Sequence, residues 1–259
     1  MQRLASLFEE TYKTEEALSL YKLASELSTS IGDHKGVINC LEHVSIIEEN
    51  TGYYFKAIQT CKRGLDKAEE YGNIEKAAFF LRRIAYINVF QDRWEEALEY
   101  ISRSENLFRQ LGNGDALAYC LAIKALIFNK TADYAKAHEV LNEGYAIVDT
   151  SSRAIDPSFL YVTNGQTYAG QGNYSKALEF YEKSLAIKWE IGSKWEIANV
   201  SSILGDFYVS QGNFDSAIRY CESALLVAVE GNHIELKRNA CRCLYQAKKE
   251  IGEIGEALS

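Results

Sequence analysis

Apolar positions along the chain recur at helical spacing, in pairs of runs that repeat every 40 residues. Residues 33–72 show the unit. Asp33 stands where a helix needs an N-cap, an amphipathic run follows to Asn50, and Gly52 closes it. A second run extends from about Tyr54 to Tyr71 and stops at Gly72. Apolar residues at i, i+3, i+4 and i+7 predict helix rather than strand, and a glycine just past each run is the expected terminator. The second stop recurs as Gly32, Gly112 and Gly192, the first as Gly172, Gly212 and Gly252. The pattern predicts two helices per repeat, in repeats spanning about 1–32, 33–72, 73–112, 113–152, 153–192, 193–232 and 233–259.

Three columns of small residues hold the register. The first is alanine at 17, 57, 97, 137, 177, 217 and 257, on the second helix of each repeat. The second lies seven residues later, at Ala24, Gly64, Ser104, Gly144, Ser184 and Ala224. The third lies twelve residues before the alanine, on the first helix, at Ala5, Ser45, Ala85, Ala125, Gly165 and Gly205. Small side chains let antiparallel helices approach closely while larger neighbours fill the flanks. A mostly aromatic column (Tyr54, Trp94, Tyr134, Tyr174, Phe214) flanks the alanine. A fixed period in this range marks a stacked-repeat fold in which each unit contacts its neighbours.

Gly205, Tyr208, Gly212, Phe214, Ala217, Cys221 and Ala224 resemble the framework of the tetratricopeptide repeat (TPR), as does the stretch from Gly165 to Ser184. The resemblance extends over the whole chain in about six and a half units. The 40-residue period is longer than the usual TPR unit and is similar to the variety found in bacterial signalling proteins and peptide-binding scaffolds. It implies an all-α, right-handed superhelical solenoid of antiparallel helix pairs, read here as one domain over residues 1–259. Neither end offers a polar cap, so the chain reads as a segment of a longer protein. One junction departs from the pattern: residues 150–157 replace the glycine turn, with Asp156 expected as N-cap and Pro157 in the first helical turn.

In TPR proteins the first helix of each unit lines the concave groove, and the resemblance places the inward columns 18, 15, 11 and 8 residues before each alanine. They carry an aromatic track of Phe79, Tyr86, Tyr119 and Phe159, with Leu126 along it. Asn39, Arg82, Arg83, Asn129, Gln166 and Asn199 accompany it. Aromatic anchors with Arg and amide neighbours suit an extended or helical peptide; the other reading is that the rings only pack on the adjacent helix. The Lys/Asn carboxylate clamp of some TPR proteins is not met, since Glu42/Ile46 and Arg82/Tyr86 stand at its positions. Trp189 and Trp195 fall in columns that are otherwise polar, and form either a secondary contact surface or a local staple over the turn at Gly192.

A net charge of −8 argues against nucleic acid, which would need clustered Lys and Arg. No membrane-length apolar run is visible. Cys40, Cys61, Cys120 and Cys221 occupy apolar columns and read as free core cysteines, while Cys241 and Cys243 point to nearly opposite sides of a helix. A reduced, cytoplasmic compartment follows. His34, His43, His138 and His233 share no metal-ligand spacing, and no phosphate-loop, nucleophile-elbow or HExxH motif is present. The expectation is therefore a chain without enzymatic activity, cofactor or metal. It would be a scaffold that binds a protein or peptide segment, with homo-oligomerisation left open. The alternative is the sensory half of a signalling enzyme or transcription regulator, including the peptide-pheromone receptor type, whose output domain lies outside the segment.

Overall fold

The structure is a computed structural model that describes residues 2–3, 5, 14–151, 155–231 and 233–253. Ala257, the last of the alanine column, lies outside the described residues. Twelve helices are described and no strand. They are α1 (Thr14–Ser30), α2 (His34–Asn50), α3 (Tyr54–Glu70), α4 (Ile74–Phe90), α5 (Trp94–Leu111), α6 (Gly114–Lys130) and α7 (Tyr134–Thr150), followed by α8 (Ser158–Gly170), α9 (Tyr174–Ile191), α10 (Lys194–Ser210), α11 (Phe214–Glu230) and α12 (Ile234–Glu250). Within each of the two units described below, successive helices pack as antiparallel TPR-like pairs, the repeating element of a solenoid. Clustering of backbone contacts divides the chain into two compact units, residues 1–155 with α1–α7 and residues 156–259 with α8–α12.

The helices start where the polar residues indicate. The side chains of Asp33, Asn73, Asn113, Asp133, Asn173, Ser193 and Asn213 each accept a hydrogen bond from the backbone N–H three residues on. Such a cap stabilises a helix by about 1 kcal/mol. At the stops, Gly52, Gly172, Gly212 and Gly252 have positive φ, and in the same column Asp92 (φ 57°) and Ala132 (φ 58°) adopt it without being glycine. The turn geometry is kept even where the residue least suited to it stands there.

The alanine column is the centre of each helix pair: Ala17, Ala57, Ala97, Ala137, Ala177 and Ala217 are wholly buried. The two other small columns show why they stay small. A Cβ on Gly64 would meet the Phe80 ring at 2.3 Å, and one on Gly165 would meet Tyr181 at 2.5 Å. Around these crossings lie the large buried residues, among them Ile38, Phe80, Leu81, Ile84, Ile101, Leu121 and Leu141 in unit 1 and Leu160 and Leu204 in unit 2.

Two expectations change. Pro157 directly precedes α8 rather than lying inside its first turn. Asp156 still caps that end, because its Oδ1 accepts from the Ser158 N–H at 2.9 Å and the Ser158 hydroxyl at 2.5 Å. The second change concerns Cys221, expected as a free core cysteine: it is disulfide-bonded to Cys243, joining α11 to α12. Both sulfurs face a space left by Gly205, whose hypothetical Cβ would lie 2.0 Å from the Cys221 sulfur and 3.0 Å from that of Cys243. Cys40, Cys61 and Cys120 are buried free thiols, with burial pushing Cys61 up to about 12 and Cys120 to about 11; Cys241 is free and exposed.

Candidate functional site

In unit 1 the predicted groove residues sit on three first helices, with Asn39 on α2, Phe79, Arg82, Arg83 and Tyr86 on α4, and Tyr119, Leu126 and Asn129 on α6. Phe79, Arg82 and Tyr119 are brought together. The Arg82 guanidinium lies 4.6 Å from the Tyr119 ring centre, 5.6 Å from that of Phe79 and 5.7 Å from that of Phe108 on α5. A cation over an aromatic face is attracted by the ring quadrupole, by about 0.5–1 kcal/mol where exposed. Tyr119 is 38% exposed, so the cluster opens to solvent. Phe79 also packs edge-on to Phe80.

The remaining predicted residues divide. Arg83 reaches Glu49 of α2 at 2.6 Å, as an ion pair without hydrogen-bond alignment. Burial pushes the Glu49 carboxyl up from the usual range, against the pull of Arg83 and Arg82. Tyr86 packs edge-on against Phe90, and burial raises its phenol well above the usual value. Leu126 is buried with the core. Asn39 and Asn129 are partly buried.

Sequence reasoning missed the charge pairing. Lys76 pairs with Glu42, Arg83 with Glu49 and Arg103 with Glu69, each 34 residues apart. A spacing six short of the repeat period, with base following acid, is the signal that would have found them. These pairs engage Arg83 and Lys76 directly, whereas Arg82 makes no ion pair among the described residues and acts on Glu49 only from a greater distance.

In unit 2, Phe159 and Gln166 on α8 and Asn199 on α10 are partly buried. The open space there is a cleft of about 640 Å³ lined by Val209, Phe214, Arg242, Tyr245, Gln246 and Lys249. Val209, Arg242, Gln246 and Lys249 belong to the inward columns, but without aromatics in them they drew no attention. Arg242 is held by Asp206 at 2.8 Å. Of the two tryptophans, Trp189 is 66% exposed, whereas Trp195 is partly buried and donates its Nε1–H to His233 Nδ1 at 2.8 Å.

Among the described residues no group of His, Cys, Asp or Glu could hold a metal ion, and no helix is long and apolar enough to cross a membrane.

Comparison with known proteins agrees with the helical grammar. Residues 160–188 and 201–235 match family models described as tetratricopeptide repeat. No curated protein sequence matches. Among solved structures, a Rap protein complexed with Competence and Sporulation Factor superimposes with a TM-score of 0.67 at 14% identity, over 99% of this chain and 84% of that one. A signal transduction ATPase with numerous domains and a tetratricopeptide repeat sensor, from Pyrococcus horikoshii, gives 0.58 at 18% identity, over 95% of this chain and 37% of that one. Aspartyl phosphate phosphatase F from Bacillus subtilis gives 0.59 at 12% identity, over 90% of this chain and 61% of that one.

At such identities the likeness is one of fold. It is enough to overturn the expectation of a chain without enzymatic activity. That expectation rested on the fold and on absent motifs, and a protein carrying the same architecture over most of this length is a phosphatase. With two repeats matched by family models and the same helix pair recurring through both units, the chain carries tetratricopeptide repeats in an all-α, TPR-like architecture.

Proposed function

We propose that this chain is the sensing region of a regulatory or signalling protein, and that it takes a peptide or extended protein segment on the inner helices of its repeats. The observation that carries this reading is the unit 1 cluster of Phe79, Arg82 and Tyr119, a partly open set of rings around one arginine. Rings give large contact area at small entropic loss, and arginine adds directional donors, which is the composition of binding hot spots. The solved structures of similar fold include a protein complexed with Competence and Sporulation Factor and a signal transduction ATPase with a tetratricopeptide repeat sensor, which supports a sensing role over a passive scaffold. The output that such binding controls would belong to a further part of the protein or to the partner it engages.

Titration of short labelled peptides against the wild type and against Arg82→Ala and Tyr119→Ala tests this. Loss of affinity by about tenfold or more in both variants is expected for a hot-spot pair. Unchanged affinity in both would place the ligand elsewhere.

A further inference from the structure

At the α11–α12 crossing the two facing positions both hold cysteine, and Cys221 is bonded to Cys243. The same two positions elsewhere hold Tyr21 with His43, stacked at 4.7 Å, and Cys61 with Arg83, where the thiol stays free. Burial raises the thiols of Cys40, Cys61 and Cys120, which keeps them out of thiolate chemistry. Cys241 is free and exposed on α12. One bond among four free thiols fits a disulfide that is made and broken rather than a permanent staple. The bond also stands behind the unit 2 cleft. Cys221 and Cys243 form a buried cluster with Ala217 and Ala247, and Val209 and Phe214 pack against that cluster while lining the cleft. Arg242 and Tyr245, which flank Cys243 along α12, line it as well.

We propose that the Cys221–Cys243 bond is a redox-operated clasp that sets the shape of the unit 2 cleft, opened by a dithiol reductant and closed again by oxidation. In the opening step a thiolate of the reductant attacks one cysteine sulfur, and the other cysteine leaves as a thiolate. The reductant's second thiol then displaces the first cysteine and closes the reductant's own disulfide. Two electrons pass to the protein bond, and each cysteine ends with one proton. Access comes from local opening of α12, whose main contacts are with α10 and α11. Once reduced, the two sulfurs need more room than a bonded pair. The space beside Gly205 has none to give, since even a Cβ there would lie 2.0 Å from the Cys221 sulfur. The reduced α12 therefore moves outward and carries Arg242, Tyr245 and Lys249 with it, while Val209 and Phe214 stay on α10 and α11. The cleft keeps one wall and loses the other. This device works on unit 2 and does not depend on the unit 1 cluster.

Methyl NMR of the whole chain, labelled at valine and leucine, tests the clasp in dithiothreitol and in oxidised glutathione without denaturant. The methyl signals of Val209 and of Leu244, which packs on the same cluster, are expected to move on reduction and to return on oxidation. Those of Val162 on α8 and Leu185 on α9 should hold still. Cys243→Ser should show the reduced positions in both solutions, and Cys241→Ser should switch as the wild type does. The wild-type comparison decides even without a folded variant. An unmoved Val209 after reduction would uncouple bond from cleft and overturn the proposal. So would loss of the Val162 and Leu185 signals together with it, which would make the bond a staple of the whole unit. A bond that dithiothreitol opens only in denaturant would overturn it too, as would a Cys241→Ser variant that no longer switches.

Discussion

Trp195 donates its indole N–H to Nδ1 of His233 at 2.8 Å, with the two rings nearly perpendicular. An acceptor nitrogen must be unprotonated, and burial lowers the His233 pKa from 6.5 to about 4. The unfolded histidine therefore takes up its proton near 6.5 and the folded one near 4. Between those values the unfolded chain binds more protons, so this contribution to stability is complete above about pH 6.5 and disappears as pH falls to about 4. Its full size is at most about 3 kcal/mol. Hydrogen exchange of α12 amides should be markedly faster at pH 5 than at pH 7 after correction for intrinsic rates. In His233→Gln that difference should largely vanish. An unchanged pH dependence in the variant would show that another group titrates.

Ala132 occupies a turn position with φ 58°, where four other repeats have glycine. A Cβ in the left-handed region costs about 1–2 kcal/mol, and glycine returns roughly 0.5–1 kcal/mol of that through the greater freedom of the unfolded chain. Ala132→Gly is thus expected to stabilise unit 1 by about 0.5–1 kcal/mol. Asp92→Gly should gain less, because Asp tolerates this conformation better than Ala. Urea unfolding of the two variants beside the wild type measures both, and a destabilised Ala132→Gly would refute the strain argument.

The buried Lys188 ammonium bridges Asp156 at 2.6 Å and Glu196 at 2.8 Å, tying the start of α8 and the first turn of α10 to the end of α9. Burial disfavours the charge, but the two carboxylate hydrogen bonds outweigh it and the Lys188 pKa is raised. At Asp156, burial pushes the carboxyl up, yet hydrogen bonds from Lys188 and Ser158 leave it below the usual value. Lys188→Met keeps the apolar stem and removes the bridge. Because both acids are about two-fifths exposed, the cost should be about 1 kcal/mol. In that variant the Asp156 carboxyl should titrate closer to 3.8, as followed by NMR. An Asp156 that does not move would mean that Ser158 alone holds it down.

These cases separate what the residues announced from what they did not. Helix number, stops and the close crossings were legible because each depends on one residue type recurring at a fixed place: Ala177 and Ala217 are buried for the reason Ala57 is. The unit 1 cluster was half legible. Phe79, Arg82 and Tyr119 lay in the inward columns, but the pairing of Arg83 with Glu49 needed a comparison across repeats at a spacing that is not the period. Lys188 occupies the buried column of Ala68 and Phe108, but nothing in that column names the carboxylates that hold it, since Asp156 comes from an irregular joint and Glu196 from the next helix. Cys221 and Cys243 belong to different columns on neighbouring helices, so their meeting is a tertiary fact that no single column displays.

The bond between those cysteines closes a segment with a separation of 22 residues, spanning the second half of α11 and the first half of α12. Cross-linking restricts the unfolded chain more than the folded one, and for a loop of this size the stabilisation is about 3 kcal/mol. Both cysteines are wholly buried, so a reductant gains access only when α12 opens from α11. In denaturant without reductant, four of the six cysteines should react with a thiol reagent, and all six after reduction. Reduction should loosen α12 first, seen as faster hydrogen exchange there while α9 is unchanged, and Cys243→Ser should reproduce that pattern without any reductant. Six reactive thiols before reduction would mean that the two sulfurs only pack against each other, and the loss on mutation would then fall to that of one small buried side chain, about 1 kcal/mol.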